Sequence, residues 1–488
     1  VAEQFKVLFL SPEVAPFAKT GGLADVAAAL PGALKMRGTD LRMVLPLYGS
    51  VRKGNFENRP LLKNLQVPLG KEVLATDIRE THTEDGIPVY LIEREDLYDR
   101  PNIYGTPRDD YHDNLERFSF FARAALLTAE ALPFKPDLIH CHEWQTGLVP
   151  AYIKGPYRHS AFFMGIPCVF TIHNLGYQGR FPAEKLTVTG LDRQEFFRLE
   201  GLEYWGEINL LKAGIVYSQA ITTVSPTYAS EIQNPEYGLG MAGVLSHRSA
   251  FLHGILNGVD YRVWDPAKDT HIRAQYSPKS MAGKHHCKES LIKEMDLDPS
   301  LKKRPLLGMV SRLDTQKGID LVLQALNDIL ALDVGLVVLG FGSDRIQQDI
   351  REAADRHHGR VGIEMSFNES LAHRIVAGVD ILLIPSLYEP CGLTQMYALK
   401  YGTVPIGRAT GGLNDTIVQF DPKTGEGNGF KFGPFEPAAL FASVRQALIH
   451  FEKPNAWARL MANGMNADFS WDRAAGEYLA LYQSLVKR

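Results

Sequence analysis

Lys19, Thr20, Gly21, Gly22 and Leu23 stand between an apolar run, Lys6–Leu10, and a helical pattern from Ala24 to Leu34. Two glycines let backbone N–H groups approach a ligand closely, and the helix start behind them carries partial positive charge. With the charge of Lys19 alongside, the turn reads as a cradle for a phosphate or for a group that leaves with phosphate attached. A plain strand–turn–helix corner with a solvated lysine would use the same residues. The pattern recurs at Thr410, Gly411, Gly412 and Leu413, after a strand pattern over Thr403–Arg408. Two such turns, far apart, suggest two similar halves facing one another.

Other polar groups fall just past apolar runs. Arg312 and Lys317 flank the loop after Leu306–Val310, where two cations can converge on one phosphate. One such contact in a transition state is worth roughly a hundred- to thousand-fold in rate. As a loop cation, Lys317 is expected to matter to activity and little to stability. Glu389, Pro390, Cys391, Gly392, Leu393 and Thr394 follow Ile381–Ile384. Here a carboxylate can meet a sugar hydroxyl, and the N–H groups of Gly392, Leu393 and Thr394 point at an anion. Cys391 has no local basic partner and reads as a buried, inert thiol. His173 and Asn174 end another strand pattern. His140 and His142 share one face of a strand, but no third ligand is signalled near them, so no metal is expected.

Elements must hold these groups in place. The apolar runs of the first half are Val7–Leu10, Met43–Leu47, Val89–Ile92, Leu138–His140, Cys168–Ile172, Ile221–Val224 and Gly254–Leu256; Asn114 to Leu132 is the clearest amphipathic stretch. The second half repeats the scheme with Leu306–Val310, Gly335–Leu339, Val361–Met365, Ile381–Ile384, Val404–Gly407 and Phe430–Phe432. Short apolar strands alternating with helices predict an α/β chain of two doubly wound, parallel-sheet domains. The expected division is 1–258 completed by a C-terminal helix, 471–488, and 259–470. Ligands collect beyond the carboxyl ends of parallel strands, which places the site in a cleft between the domains.

A chain of 488 residues is too long for one core. A net charge of −4 without a basic block argues against nucleic acid as partner. No apolar stretch reaches the ~20 residues of a membrane span. Four cysteines without close spacing fit a reducing, intracellular setting. The early first strand leaves no room for a signal peptide, and the start at Val1 leaves open a removed leader.

Taken in order, these motifs resemble the bacterial and plant glycogen/starch synthases that use a nucleotide-diphosphoglucose donor (glycosyltransferase family 5). The resemblance runs through Lys19-Thr20-Gly21-Gly22-Leu23-Ala24-Asp25-Val26, His173-Asn174, Tyr237-Gly238-Leu239-Gly240, Asn257-Gly258-Val259-Asp260, Ser311-Arg312, Lys317-Gly318, Glu389-Pro390-Cys391-Gly392-Leu393-Thr394-Gln395 and Thr410-Gly411-Gly412-Leu413. It spans the chain as far as Trp471. It implies a GT-B fold, two Rossmann-like domains closing over the donor. The implied reaction moves glucose from ADP-glucose to the non-reducing end of an α-1,4-glucan, retaining anomeric configuration, with no metal or other cofactor. It further implies that Arg312 and Lys317 hold the diphosphate above the Gly392–Thr394 amides, with Lys19, Gly21 and Gly22 gripping from the first domain. Glu389 contacts the transferred glucose, and the main-chain carbonyl of His173 faces the anomeric centre. Asp25, Asn257, Cys391 and Tyr104 line the same region. No side-chain nucleophile is implied; the departing phosphate helps deprotonate the acceptor. The compartment implied is bacterial cytoplasm, or plastid stroma or starch granule after loss of a leader.

This chain departs from the family pattern at three places. Glu143 replaces an Asp, which puts its contact to acceptor or sugar in doubt. Phe367 stands where a Tyr commonly stacks on adenine, and stacking survives without the hydroxyl. Tyr397 occupies the place of a second acid found in many retaining relatives, an acid this family also lacks. A phosphorylase of the same fold would need a pyridoxal-phosphate lysine and a longer chain. An epimerase would work without glucan, and a silent glucan-binding protein would have lost Lys19, Arg312, Lys317 and Glu389.

Overall fold

A computed structural model describes residues 4–106 and 109–486; the outermost residues of the expected first domain, 1–3 and 487–488, lie outside the described residues. The chain divides into two compact units, 1–258 with 471–488, and 259–470.

In the first unit, strand Phe5–Leu10 runs parallel between Thr39–Pro46 and Leu138–His142, and the parallel series continues through Cys168–Ile172, Ala220–Thr223 and Leu252–Gly254. The last of these begins two residues earlier than the sequence predicts. The nine-stranded sheet is mixed, which corrects the all-parallel expectation: Arg59–Leu69 and Glu72–His82 form an antiparallel hairpin on the edge beside Pro88–Glu93. Much of the hairpin faces water, so its strands carry polar residues and lack the continuous apolar run of the buried ones. A separate three-stranded sheet joins Arg180–Pro182, Glu207–Asn209 and Glu203–Tyr204.

Helix Asn114–Ala131 is buried along nearly its whole length and is not the amphipathic element the sequence predicts. The edge hairpin lies against it, as do helices Leu148–Lys154 and Leu186–Thr189. Two buried arginines there are each anchored by a hydrogen bond to the main chain. Arg117 Nε donates to Leu97 O at 2.7 Å, and Arg123 Nη2 to Thr189 O at 3.0 Å. Helix Trp471–Leu485 packs on Gly22–Met36, and Tyr482 Oη lies 2.7 Å from His140 Nδ1 beneath the central strands.

The second unit has six parallel strands in the order Val361–Glu364, Gly335–Leu339, Leu306–Val310, Ile381–Ile384, Val404–Arg408, Phe430–Phe432. Alternate residues enter different cores. Leu307, Met309, Leu336 and Leu383 belong to one cluster, and Leu306, Val337, Leu339 and Leu382 to another. Burial on both faces explains why these strands read as continuous apolar runs. Every strand end used below is a carboxyl end.

Candidate active site

In the second unit the loop after Leu306–Val310 is shaped by Asp314, whose Oδ1 accepts from Lys317 N at 3.0 Å. Gly318 then takes φ +71, and a Cβ there would stand 2.1 Å from Pro385 O. That close approach seats this loop on the one after Ile381–Ile384. Leu387 N donates to Gln316 O at 2.8 Å and Gln316 Nε2 to Tyr388 O at 3.2 Å. The result brings Lys317 Nζ to 2.6 Å from Glu389 Oε2, which also accepts from Ser386 Oγ at 2.8 Å. The two side chains are only 18% and 7% exposed, so the reading of Lys317 as a cation of little structural weight is corrected: it neutralises a buried carboxylate. Arg312 lies beside them, half-exposed, with its guanidinium 3.3 Å from Gln316 Oε1 and 3.4 Å from Asp314 Oδ2. Arg408 joins the cluster unannounced by the sequence, donating to Leu387 O and, at 3.0 Å, to Gly433 O.

Gly392 adopts φ +70 ahead of helix Thr394–Lys400, and no side chain caps that helix. The half-buried segment Gly392–Thr394 follows buried Cys391, and Gln395 Nε2 ties the turn by donating to Cys391 O at 3.0 Å and Gly392 O at 2.9 Å. The Thr410–Leu413 turn is no second phosphate cradle. A Cβ at Gly411 would lie 1.9 Å from Glu389 O, and one at Gly412 2.1 Å from Cys391 O. Gly412 N donates to Glu389 O at 3.1 Å. These glycines let one backbone seat another, and what they position is Glu389. Phe367 projects past the end of Val361–Glu364 and is 80% exposed. Tyr397 stacks on Trp264 at 3.9 Å, and Trp264 also stacks on His373 at 3.7 Å, so the position of the missing acid is a structural stack.

In the first unit the expected cradle is partly filled from within. Glu13, 3% exposed, accepts from Thr20 N at 2.6 Å and Gly21 N at 3.3 Å through Oε2, and from Thr20 Oγ1 and Tyr104 Oη at 2.7 Å each through Oε1. The amides of Thr20 and Gly21 therefore bind a carboxylate of the chain itself, which corrects their reading as phosphate ligands. Lys19 and Asp25 form an ion pair at 2.7 Å, and a Cβ at Gly21 would meet nothing within 4 Å. Nothing in the run Ser11-Pro12-Glu13 marks Glu13 as important, because its donors come from turns ahead of it in the chain.

Glu143 sits at the end of Leu138–His142 with φ +64, a left-handed backbone rare for a non-glycine residue. Its Oε1 accepts from His173 N at 2.6 Å and Asn174 N at 2.9 Å, while Oε2 is buried without a partner among the described residues. Glu143 thus holds the His173–Asn174 backbone. Burial pushes its carboxyl up to about 8. His173 Nε2 lies 2.9 Å from His142 Nδ1, and burial pushes the His173 imidazole down to about 3. His140 Nε2 lies 2.6 Å from Thr171 Oγ1. Asn257 is buried, with Oδ1 unpartnered among the described residues.

These groups define a pH dependence. His140 and His142 are fully buried and held well below the usual imidazole range, like half-buried His173. The unfolded chain takes up their protons below about pH 6.5 while the native chain does not, so stability falls on acidification. Glu143 acts oppositely. The native state keeps its proton up to about pH 8, whereas the unfolded state loses it near 4.5, so stability declines as pH rises between them. The melting temperature of the first unit should therefore peak near pH ~6.5, and Glu143→Gln should flatten the alkaline limb. Melting curves from pH 4 to 9 check this, and an unchanged alkaline limb in Glu143→Gln would remove Glu143 as its cause.

Two α/β units, each with polar loops at the carboxyl ends of its parallel strands, are the architecture of a GT-B glycosyltransferase. The sequence matches the family described as "Starch synthase catalytic domain" over residues 6–247 and "Glycosyl transferases group 1" over 293–460. It is 45% identical over 482 residues to a glycogen synthase of Anaeromyxobacter sp. (strain Fw109-5), covering 99% of each chain. It is 45% identical over 479 residues to glycogen synthase 2 of Geobacter metallireducens, covering 98% of each. Its structure is similar to the catalytic domain of starch synthase IV from Arabidopsis thaliana bound to ADP and acarbose, with TM-score 0.92, 34% identity and full coverage of both chains. Sucrose-phosphate synthase from Thermosynechococcus elongatus, 17% identical at TM-score 0.60 and 99% coverage of both, shares the fold. The chain belongs to the glycogen/starch synthase family, and it is an enzyme of glucan synthesis.

Proposed function

We propose that the enzyme transfers glucose from ADP-glucose to the non-reducing end of an α-1,4-glucan with retention, releasing ADP, without a metal or other cofactor. The observation that carries this reading is the Lys317–Glu389 pair beside Arg312, at the carboxyl ends of neighbouring strands. In this reading Arg312 and Lys317 stabilise the negative charge that grows on the departing diphosphate, and the Gly392–Thr394 amides sit beneath it. Lys317 is already held by Glu389, so little side-chain entropy is lost on binding. Glu389 orients the transferred glucose, and Phe367, exposed and flat, stacks on the base. His173 stays neutral at physiological pH, so it does not oppose positive charge developing at the anomeric carbon, towards which its carbonyl points. The departing phosphate takes the acceptor proton as the new glycosidic bond forms. The same reading assigns Lys19, Gly22, Asp25 and Asn257 to donor binding, and Tyr104 and Glu143 to the acceptor.

The bacterial relatives support a cytoplasmic location. No described helix is long and apolar enough to cross a membrane. The test is transfer of label from ADP-glucose and UDP-glucose to glycogen in the presence of chelator, with a no-acceptor control. Acceptor-dependent transfer from ADP-glucose is the expected result. Preference for UDP-glucose, or loss of transfer with chelator that added divalent ions restore, would overturn the corresponding part.

A further inference from the structure

Trp205 is 82% exposed, whereas Trp144, Trp457 and Trp471 are 8%, 8% and 7% exposed. It occupies the tip of the ribbon formed by Glu203–Tyr204 and Glu207–Asn209, at φ +53, followed by Gly206 at φ +82. Left-handed backbone favours Gly or Asn, and a bulky aromatic residue there is an outlier. The turn is nonetheless well made. Gly206 N donates to Glu203 Oε1 at 2.7 Å, and Arg180 lies 5.5 Å over the Tyr204 ring while its Nε donates to Glu207 Oε2 at 2.7 Å. A rigid ribbon therefore presents an indole to solvent.

The surface around it is continuous with the His173–Asn174 loop. Tyr177, 53% exposed, donates its N–H to Asn174 O at 3.1 Å. Next to it, Gln178 Nε2 donates to Leu239 O at 3.0 Å. Leu239, 43% exposed at φ +44, accepts at the same oxygen from Tyr204 Oη at 3.4 Å, and the Tyr204 and Trp205 rings are 6.3 Å apart. Tyr177, Leu239 and Trp205 thus stand, as a row of exposed apolar residues, on successive hydrogen-bonded segments from that loop to the ribbon, which also carries the charged Glu207 paired with Arg180.

We propose that this row is an outer binding subsite for the α-1,4-glucan chain, with Trp205 as its distal stacking platform. This rests on the reading of the His173–Asn174 loop as part of the transfer site. A glucose ring offers a face of C–H groups rimmed by hydroxyls, which matches a flat aromatic surface with charged hydrogen-bonding partners at its edge. An exposed apolar row that starts at the transfer loop of a glucan-synthesising enzyme meets such a chain first. Short acceptors end before Trp205, and long ones reach it.

Two measurements on the full chain test this. Maltoheptaose should shield Trp205 from iodide quenching of tryptophan fluorescence in the wild type, and the shielding should vanish in Trp205→Asn. In transfer assays, Trp205→Asn should raise KM for glycogen roughly two- to tenfold. Its kcat, its KM for ADP-glucose and its rate on maltotriose should stay unchanged. Asn suits the backbone at this position, so the melting temperature should not fall. A wild type that elongates glycogen while Trp205 stays unshielded overturns the subsite and leaves the proposed reaction standing. Shielding that follows protein concentration instead of maltoheptaose also overturns it, in favour of a second copy of the chain. Shielding by maltoheptaose without transfer from ADP-glucose supports the subsite and overturns the reaction.

Discussion

Lys317→Ala is expected to lower kcat/KM for glucose transfer by about a thousandfold and, unlike an ordinary surface lysine, to lower stability as well. The first effect follows from the proposed role of Lys317 as the cation that meets the departing diphosphate. The second follows from what the lysine leaves behind. Glu389 is 7% exposed at its side chain, and Ser386 Oγ at 2.8 Å is a neutral donor that does not replace the lost charge. Removing one partner of such a pair costs about 3 kcal/mol. The double variant Lys317→Ala/Glu389→Gln separates the effects: it should recover much of the lost stability and none of the activity. Glu389→Gln alone should depress kcat more than donor affinity. Steady-state kinetics and denaturant titrations on the three variants check the cycle. A stable, inactive Lys317→Ala would argue that the carboxylate is solvated, and an active one would remove Lys317 from the reaction.

Glu13→Ala should lower kcat/KM by about a hundredfold, although Glu13 itself need not touch substrate. Its carboxylate gathers Thr20 N, Thr20 Oγ1, Gly21 N and Tyr104 Oη, and so fixes the turn that carries Lys19. Thr20 and Gly21 are exposed and can turn to water, so the stability loss should be small, about 1–2 kcal/mol. Glu13→Gln, which keeps one acceptor oxygen, should recover part of the activity. It should also move the alkaline limb of the melting profile to lower pH, because the negative charge of Glu13 helps hold the Glu143 carboxyl up. A melting profile identical to the wild type in Glu13→Gln would show that the two carboxylates do not communicate.

Legibility in the sequence followed burial. The central strands are apolar on both faces and announce themselves, as Leu306–Val310 and Gly335–Leu339 do with their bounds intact. The hairpin Arg59–His82 lies at an edge, half in water, so no apolar period marks it. Helix Asn114–Ala131 has the charged residues of an amphipathic stretch, yet its arginines are buried and hydrogen-bonded to the main chain. The two glycine turns share a pattern and differ in use. Gly21 faces open space, and Gly411 and Gly412 press against the backbone of Glu389–Cys391.

The sequence by itself determined the family, the α/β fold class and the glycosyltransferase reaction class. Strand runs, glycine turns and strand-end polar residues are local patterns that survive being read in one dimension. Only the tertiary structure decided the partners of the carboxylates. Glu13 closes the Lys19 turn, Glu389 meets Lys317 72 residues away, and Glu143 holds the amides of His173 and Asn174, 30 and 31 residues away. Those pairings, and the proton affinities of Glu143 and His173, depend on which groups are brought together out of water. Desolvation and hydrogen bonding act between neighbours in space, whatever their separation along the chain.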